Sequence, residues 1–176
     1  MAKKVIVIYK SKYGFTSKYA KLISDILKCE LISADKVTLD DCKSYDTIIY
    51  GGGIYAFRIN GLEFIKNNFD ELKNKNIVVL ATGFMKGKKE YSELVFRRNF
   101  PKNISDNIKF FHLRGGFDFS KLSFKDKMII RLLGFKIKHS NSSSEEEKEL
   151  LQAMYKPINY CSKENVSELI SYVRNL

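Results

Sequence analysis

The hydrophobic positions along the chain alternate between near-continuous apolar runs and a helical i, i+3, i+4 spacing. Residues 5–9 (VIVIY) are the first run and predict a buried strand. Residues 16–28 follow as a helix, with Tyr19, Ala20, Leu22, Ile23, Ile26 and Leu27 on one face. A short second strand is predicted at 29–33 and a polar connection at 40–45. A third strand at 47–51 runs into three glycines. Residues 61–72 predict a helix with Leu62, Phe64, Ile65, Phe69 and Leu72 inward. A fourth, very apolar strand covers 76–82, a helix 90–100 and a fifth strand 108–113. A helix at 165–176 closes the chain, with Ser162 as its N-cap.

Strands rich in Val, Ile and Leu that alternate with helices predict a doubly wound α/β fold, its parallel sheet covered on both faces. Ligands in such folds bind beyond the carboxyl ends of the strands. The loops at 10–17, 51–60 and 82–89 therefore carry the expected site, and all three are rich in glycine, hydroxyls or aromatics. One region does not fit the alternation: about forty residues, 115–158, separate the fifth strand from the closing helix. This insertion holds a helical pattern at 124–137 and then the Ser/Glu-rich segment HSNSSSEEEKELL. That segment reads either as a helix start capped by Ser143 or Ser144, or as a flexible loop. No internal repeat occurs, and 176 residues suit one domain spanning 1–176.

Composition narrows the setting. A chain of this length with 44% hydrophobic residues can bury a core without a metal or disulfide. The three cysteines, Cys29, Cys42 and Cys161, lack C-x-x-C or zinc spacing and read as reduced thiols of a cytoplasmic protein. Met1-Ala2-Lys3-Lys4 precedes an apolar run too short for a signal peptide, and no run reaches membrane-spanning length. The expected location is cytoplasmic, with peripheral contact at the inner face of a membrane as the furthest departure. A net charge of +11 points to an anionic partner or to a solvated lysine surface. No basic-aromatic module marks nucleic acid as that partner.

The chemistry starts at Ser11-Lys12-Tyr13-Gly14-Phe15-Thr16-Ser17, between the first strand and first helix. A helix N-terminus offers unpaired amides and partial positive charge. Hydroxyls and a glycine beside it complete a cradle suited to phosphate, where a plain N-cap explains only one hydroxyl. Two other glycine motifs fail. GFMKGKK, at 83–89, is one residue short of a P-loop and lacks its Ser/Thr. GGGIYA, at 51–56, fits a dinucleotide fingerprint but follows the third strand rather than the first.

The segment Ser11-Lys12-Tyr13-Gly14-Phe15-Thr16 resembles the phosphate loop of flavodoxins, usually Ser/Thr-x-Thr-Gly-x-Thr. Ser11, Gly14 and Thr16 match, Tyr13 replaces a threonine, and Lys12 adds a cation such loops generally lack. The resemblance implies bound FMN and a five-stranded sheet in the order 2-1-3-4-5. It also implies that two further loops sandwich the isoalloxazine. The first is Gly52, Gly53, Ile54, Tyr55, Ala56, Phe57 and Arg58; the second is Thr82, Gly83, Phe84, Met85 and Lys86. With no Trp in the chain, Tyr55 is the first candidate for stacking, ahead of Phe57 and Phe84. By the same resemblance, the glycines would let a peptide flip toward flavin N5.

One branch is closer still. Arg114-Gly115-Gly116-Phe117, Asp126 to Leu132 and Lys156-Pro157-Ile158-Asn159-Tyr160 resemble the long insertion of the bacterial flavodoxin-like protoporphyrinogen oxidases. The last of these would resume the fifth strand. In the insertion helix, Phe124, Met128, Ile129, Leu132, Leu133, Phe135 and Ile137 form a broad apolar arc. Lys127, Arg131 and Lys138 make a basic stripe, and Lys125 and Lys136 interrupt the arc. That face suits a lipid interface or an acidic porphyrin or quinone partner, or else packs on the domain with its lysines snorkelling.

Two functions follow from the resemblance. One is an FMN enzyme that oxidises a substrate such as protoporphyrinogen and passes electrons to a quinone. The other is an electron carrier docking redox partner proteins. A +11 chain stabilises reduced, anionic flavin, which suits an electron acceptor better than a low-potential donor. His112, in the fifth strand, reads as a core or rim histidine, and no catalytic Ser/His/Asp or metal set competes.

Overall fold

The computed structural model describes residues 3–140 and 143–176. Met1 and Ala2 of the amino-terminal reading, and Asn141 and Ser142 of the Ser/Glu-rich segment, lie outside the described residues. In chain order the elements are β1 (Val5–Lys10), α1 (Phe15–Leu27), β2 (Glu30–Ser33), α2 (Leu39–Lys43), β3 (Thr47–Tyr55) and β4 (Arg58–Ile59). Then come α3 (Glu63–Asn67), α4 (Phe69–Leu72), β5 (Asn76–Gly83), α5 (Lys89–Asn99), α6 (Lys102–Ser105) and β6 (Ile108–Arg114). The insertion follows with β7 (Gly116–Phe117), α7 (Phe124–Lys138), α8 (Glu145–Ala153) and β8 (Ile158–Asn159), before α9 (Ser167–Arg174).

The main sheet runs β2-β1-β3-β5-β6, all parallel, with the short β4 antiparallel to the end of β3. Counting parallel strands alone, this is the expected order 2-1-3-4-5. Strand side chains alternate between two cores, one on each face. Ile6, Ile8, Ile48, Tyr50, Val79 and Ala81 face α2 to α5. Val7, Ile49, Val78 and Leu80 face α1 and α9 through Tyr19, Ile23, Leu169 and Ile170. Because both faces are covered, the strands are apolar without alternation, and each fully buried Ile or Leu contributes roughly 1.5–3 kcal/mol.

Several elements depart from the sequence expectation. The segment 40–45 is not a plain connection: Thr38 and Asp41 form a capping box that starts α2. The third strand does not stop at its glycines but runs on to Tyr55 and turns back as a hairpin. Gly52 sits there because the returning strand passes close, so that a Cβ would lie 2.7 Å from the Asn60 carbonyl oxygen. The helix expected over 61–72 is two short ones, interrupted at Asn68, whose side-chain amide donates to the Phe64 carbonyl (2.7 Å). That side-chain bond competes with the backbone ladder. Residues 158–159 do not resume the fifth strand; they pair antiparallel with β7 in a separate ribbon. Ser144 caps α8 in a second capping box, which settles the Ser/Glu-rich segment as a helix start. The closing helix begins with a 3-10 turn at Glu164–Val166, where the Asn165 amide donates to Ser162 Oγ.

Gly61 has φ +73°, and a Cβ there would run into the Tyr50 hydroxyl and the Lys10 side chain. Gly14 has φ +91° but open space around it. Gly61→Ala should therefore lower the unfolding free energy by about 2–4 kcal/mol, against about 1 kcal/mol for Gly14→Ala. Urea unfolding of the two variants checks this; equal losses would contradict it.

Candidate functional site

The carboxyl ends of β1, β3 and β5 lie side by side, with Lys10 opposite Gly52 and Gly53 opposite Thr82. The three expected loops thus leave the sheet at one edge. In the first, the Gly14 amide donates to Ser11 Oγ (3.1 Å), which folds a tight turn into α1. Gly14 is the helix N-cap, and its carbonyl accepts from Ser17 Oγ (2.9 Å) and from the Lys18 amide (3.1 Å). The amides of Phe15, Thr16 and Ser17 lie in the first turn, where no intrahelical carbonyl can reach them. Ser17 spends its hydroxyl on the helix, whereas Ser11 and Thr16 line the cleft that opens here.

The second loop is the β3–β4 hairpin. Its two tip residues, Ala56 and Phe57, both have positive φ, 46° and 65°. Two such residues in succession make a turn whose twist matches the strands, at a strain glycine would avoid. Asn99 of α5 holds the hairpin: its Oδ1 accepts from the Ile59 amide (2.9 Å), and its Nδ2 donates to the Phe57 carbonyl (2.7 Å). Phe57 turns away from the cleft onto Tyr91, with Arg98 over its ring. Gly53, Ile54, Tyr55 and Ala56 line the cleft, and Tyr55 is partly exposed to it. The glycines of this loop are engaged in the ladder; the Gly53 carbonyl accepts from Asn60 (2.9 Å).

The third loop supplies Thr82, Gly83, Phe84 and Met85. Arg114 fixes it, donating from Nε to the Phe84 carbonyl (3.2 Å) while its guanidinium stacks on Tyr160 and pairs with Glu149 of α8. The Tyr160 hydroxyl and Arg114 hold the Glu149 carboxyl below its usual range. Phe84 meets Phe117 edge-on at 5.9 Å.

The fourth wall was not legible as part of the site. The insertion brings Phe117, Leu122, Ile129, Ile130, Leu133 and Leu150 to the same cleft, together with Asp118 and Asp126. The helical pattern of the insertion was readable, but nothing in its spacing showed which side of the sheet it covers. The cleft has a volume of about 430 Å³. Of the sequence candidates, Ser11, Tyr13, Phe15, Thr16, Gly53 to Ala56 and Thr82 to Met85 line it; Lys12, Gly14, Gly52 and Phe57 do not. Lys12 does not enter the cleft: exposed outside it, it pairs with Asp126, which also accepts from the Tyr13 hydroxyl. Lys12 first, then Tyr13, holds the Asp126 carboxyl below the ordinary range.

Among the described residues, two buried side-chain polar atoms lack a hydrogen-bond partner, Thr82 Oγ1 and His112 Nε2. Thr82 lines the cleft, so a ligand there can satisfy it.

The sequence of this site-bearing chain has relatives. A family model described as the flavodoxin domain matches residues 6–145. The chain belongs to the flavodoxin domain family. This flavodoxin-domain chain is 30% identical over 117 residues to an uncharacterized protein of Methanocaldococcus jannaschii, covering 50% of this chain and 78% of that one. Solved structures similar to it include a flavoprotein in complex with FMN from Lactobacillus acidophilus NCFM, 19% identical over 64% of this chain and 93% of that chain, TM-score 0.45. Another is a flavodoxin from the domain Archaea, 16% identical over 87% and 97%, TM-score 0.41. A third is the Trp repressor binding protein from Bacillus subtilis, 17% identical over 64% and 83%, TM-score 0.47.

In this flavodoxin domain His112 stands behind the third loop, its Nδ1 3.0 Å from Ser92 Oγ and its ring against Tyr91. Burial pushes its pKa down to about 4. Between about 6.5 and 4 the unfolded chain binds a proton that the folded histidine refuses, so stability should fall as pH drops through that window. NMR titration of the His112 ring should show no protonation above about pH 5; a midpoint near 6.5 would contradict the burial.

Proposed function

We propose that the protein is an FMN-dependent oxidoreductase that oxidises a flat, largely apolar substrate of the protoporphyrinogen type and hands the electrons to a quinone. The observation that carries this reading is the two-part lining of one cleft. Ser11, Thr16 and the first-turn amides of α1 form a polar, phosphate-accepting end, and the unpartnered Thr82 Oγ1 belongs to the third loop along the same cleft. Phe117, Leu122, Ile129, Ile130 and Leu133 form an apolar wall beside it. The volume of about 430 Å³ lies in the range of cofactor sites, roughly 300–1,000 Å³. The residues present therefore fit FMN: amides and hydroxyls for a phosphate, and Tyr55 for a planar ring.

FMN would supply electron chemistry that amino-acid side chains lack. The chain's own groups bind the phosphate, orient the ring through Tyr55 and Met85, and exclude water with the insertion. An electron carrier has no need of a second apolar wall next to its flavin, which places that alternative second. The net charge of +11 agrees with an electron acceptor.

A membrane surface fits the outer side of the insertion. Phe124, Leu132 and Phe135 are 78%, 67% and 65% exposed, among Lys125, Lys127, Arg131, Lys136 and Lys138. No described helix is long and apolar enough to cross a bilayer. A basic helix with protruding apolar side chains suits the interface of an anionic one, where apolar quinones partition.

Reconstituted protein should bind FMN, and Ser11→Ala and Thr16→Ala should each weaken binding about 5- to 20-fold by calorimetry. The FMN-loaded protein should oxidise protoporphyrinogen with a soluble quinone as acceptor. Bound FMN without that turnover would favour the carrier. The triple variant Phe124→Ala, Leu132→Ala, Phe135→Ala should lose cosedimentation with vesicles containing anionic lipid; retention would remove the membrane contact.

A further inference from the structure

The first loop and the insertion meet at one carboxylate. Asp126 lies in the first turn of α7, where it accepts from the Tyr13 hydroxyl and pairs with Lys12. The Tyr13 oxygen also accepts from the amide of Ser123 (3.3 Å), the N-cap of α7. Ser123 Oγ in turn accepts from the Asp126 amide (3.2 Å). The Lys12 ammonium lies 5.2 Å and 5.6 Å from the ring centroids of Tyr13 and Tyr55, so the hairpin joins the same cluster.

The other end of α7 is held differently. Gly134 and Ile137 are buried, and Gly134 approaches α8 so closely that a Cβ would lie 3.0 Å from Met154 Sδ. Between the two supports, Ile129, Ile130 and Leu133 line the cleft, while Phe124 and Leu132 are exposed. The helix is thus a span over the cleft: apolar packing fixes its C-terminal end, and at its N-terminal end the polar contacts act beside the buried Leu122, whose cluster Tyr13 packs against. Apolar packing of the first kind has no ready substitute in water. The polar contacts do, because water can solvate each partner separately. The polar contacts of the N-terminal end are the ones that can release.

We propose that Asp126 is a positioning residue of the cleft: with Tyr13 and Lys12 it latches α7 to the phosphate loop, and opening of this latch governs flavin exchange. This inference rests on the reading of the cleft as an FMN site. Of the three latch residues Tyr13 and Asp126 line the cleft and Lys12 does not, and the latch uses their side chains, which leaves the loop amides to a phosphate. Phosphate binding and latching therefore do not compete. If FMN binds the closed helix more tightly than the open one, FMN must by linkage shift the closed–open equilibrium toward closed by the same factor.

Hydrogen exchange of amides 124–138 in the flavin-free protein reads the latch without any cofactor. Asp126→Asn and Tyr13→Phe should each accelerate that exchange about tenfold, the effect of one charge-assisted bond, and leave β1, β3 and β5 unchanged. The double variant should accelerate exchange by less than the product of the two single effects, since both remove the Tyr13–Asp126 contact while each also removes one contact of its own. In the FMN-loaded protein the same variants should release FMN about tenfold faster in stopped-flow fluorescence, and Asp126→Glu should restore slow release. Unchanged exchange over 124–138 in both single variants, or fully additive effects in the double one, would overturn the latch. Unchanged FMN release despite faster exchange would overturn its role in flavin exchange. A wild-type protein that binds no FMN would instead overturn the cofactor reading, and the exchange data keep the two failures apart.

Discussion

The parallel register of β1, β3 and β5 is the constraint on which the site depends. With both faces buried, the backbone groups of these strands must pair with one another, and their side chains must fill two cores at once. Only one register does both. It sets Lys10 beside Gly52 and Gly53 beside Thr82, so three loops distant in sequence leave the sheet at one level. A slip of one residue would put Val7 and Ile49 on the wrong face and carry the loops apart. The cleft is a consequence of that pairing before it is a consequence of any side chain within it.

Onto this edge the chain adds pieces that hold the loops still. Asn99 satisfies three backbone groups, two of them in the hairpin, and so keeps Tyr55 at the cleft while Phe57 packs outside. Arg114 ties the third loop to Glu149 of the insertion and to Tyr160 just after it. Asp126 ties the first loop to α7. Each of the three loops is therefore braced from a different element, two of them by the insertion. What looks in the sequence like an appendage closes the cleft and supports it.

The apolar runs were enough to read the five parallel strands and the edge where their loops meet, because burial on both faces leaves an unmistakable signal. The ends of elements were harder. Three glycines at 51–53 read as the end of a strand, yet the space their missing Cβ atoms leave is filled by Thr16 and Leu80 at Gly51, by Ile59 and Asn60 at Gly52 and by the Tyr55 ring at Gly53. Asn68 breaks a helix whose apolar period continues through it. The first loop was legible through Ser11, Gly14 and Thr16, whereas the destination of Lys12 was not. Its partner Asp126 is 114 positions away in the chain, the one acid in an apolar, basic helix, and only the folded arrangement brings the two together.

The central claim is that the first loop grips a phosphate and the rest of the cleft receives the ring attached to it. Calorimetric titration of the purified protein with FMN and with riboflavin, which differ only in that phosphate, tests it most directly. The account predicts one FMN bound per chain and riboflavin at least about tenfold weaker, the contribution of charge-assisted bonds from the loop. Equal affinity for the two flavins, or no heat with either, would contradict it.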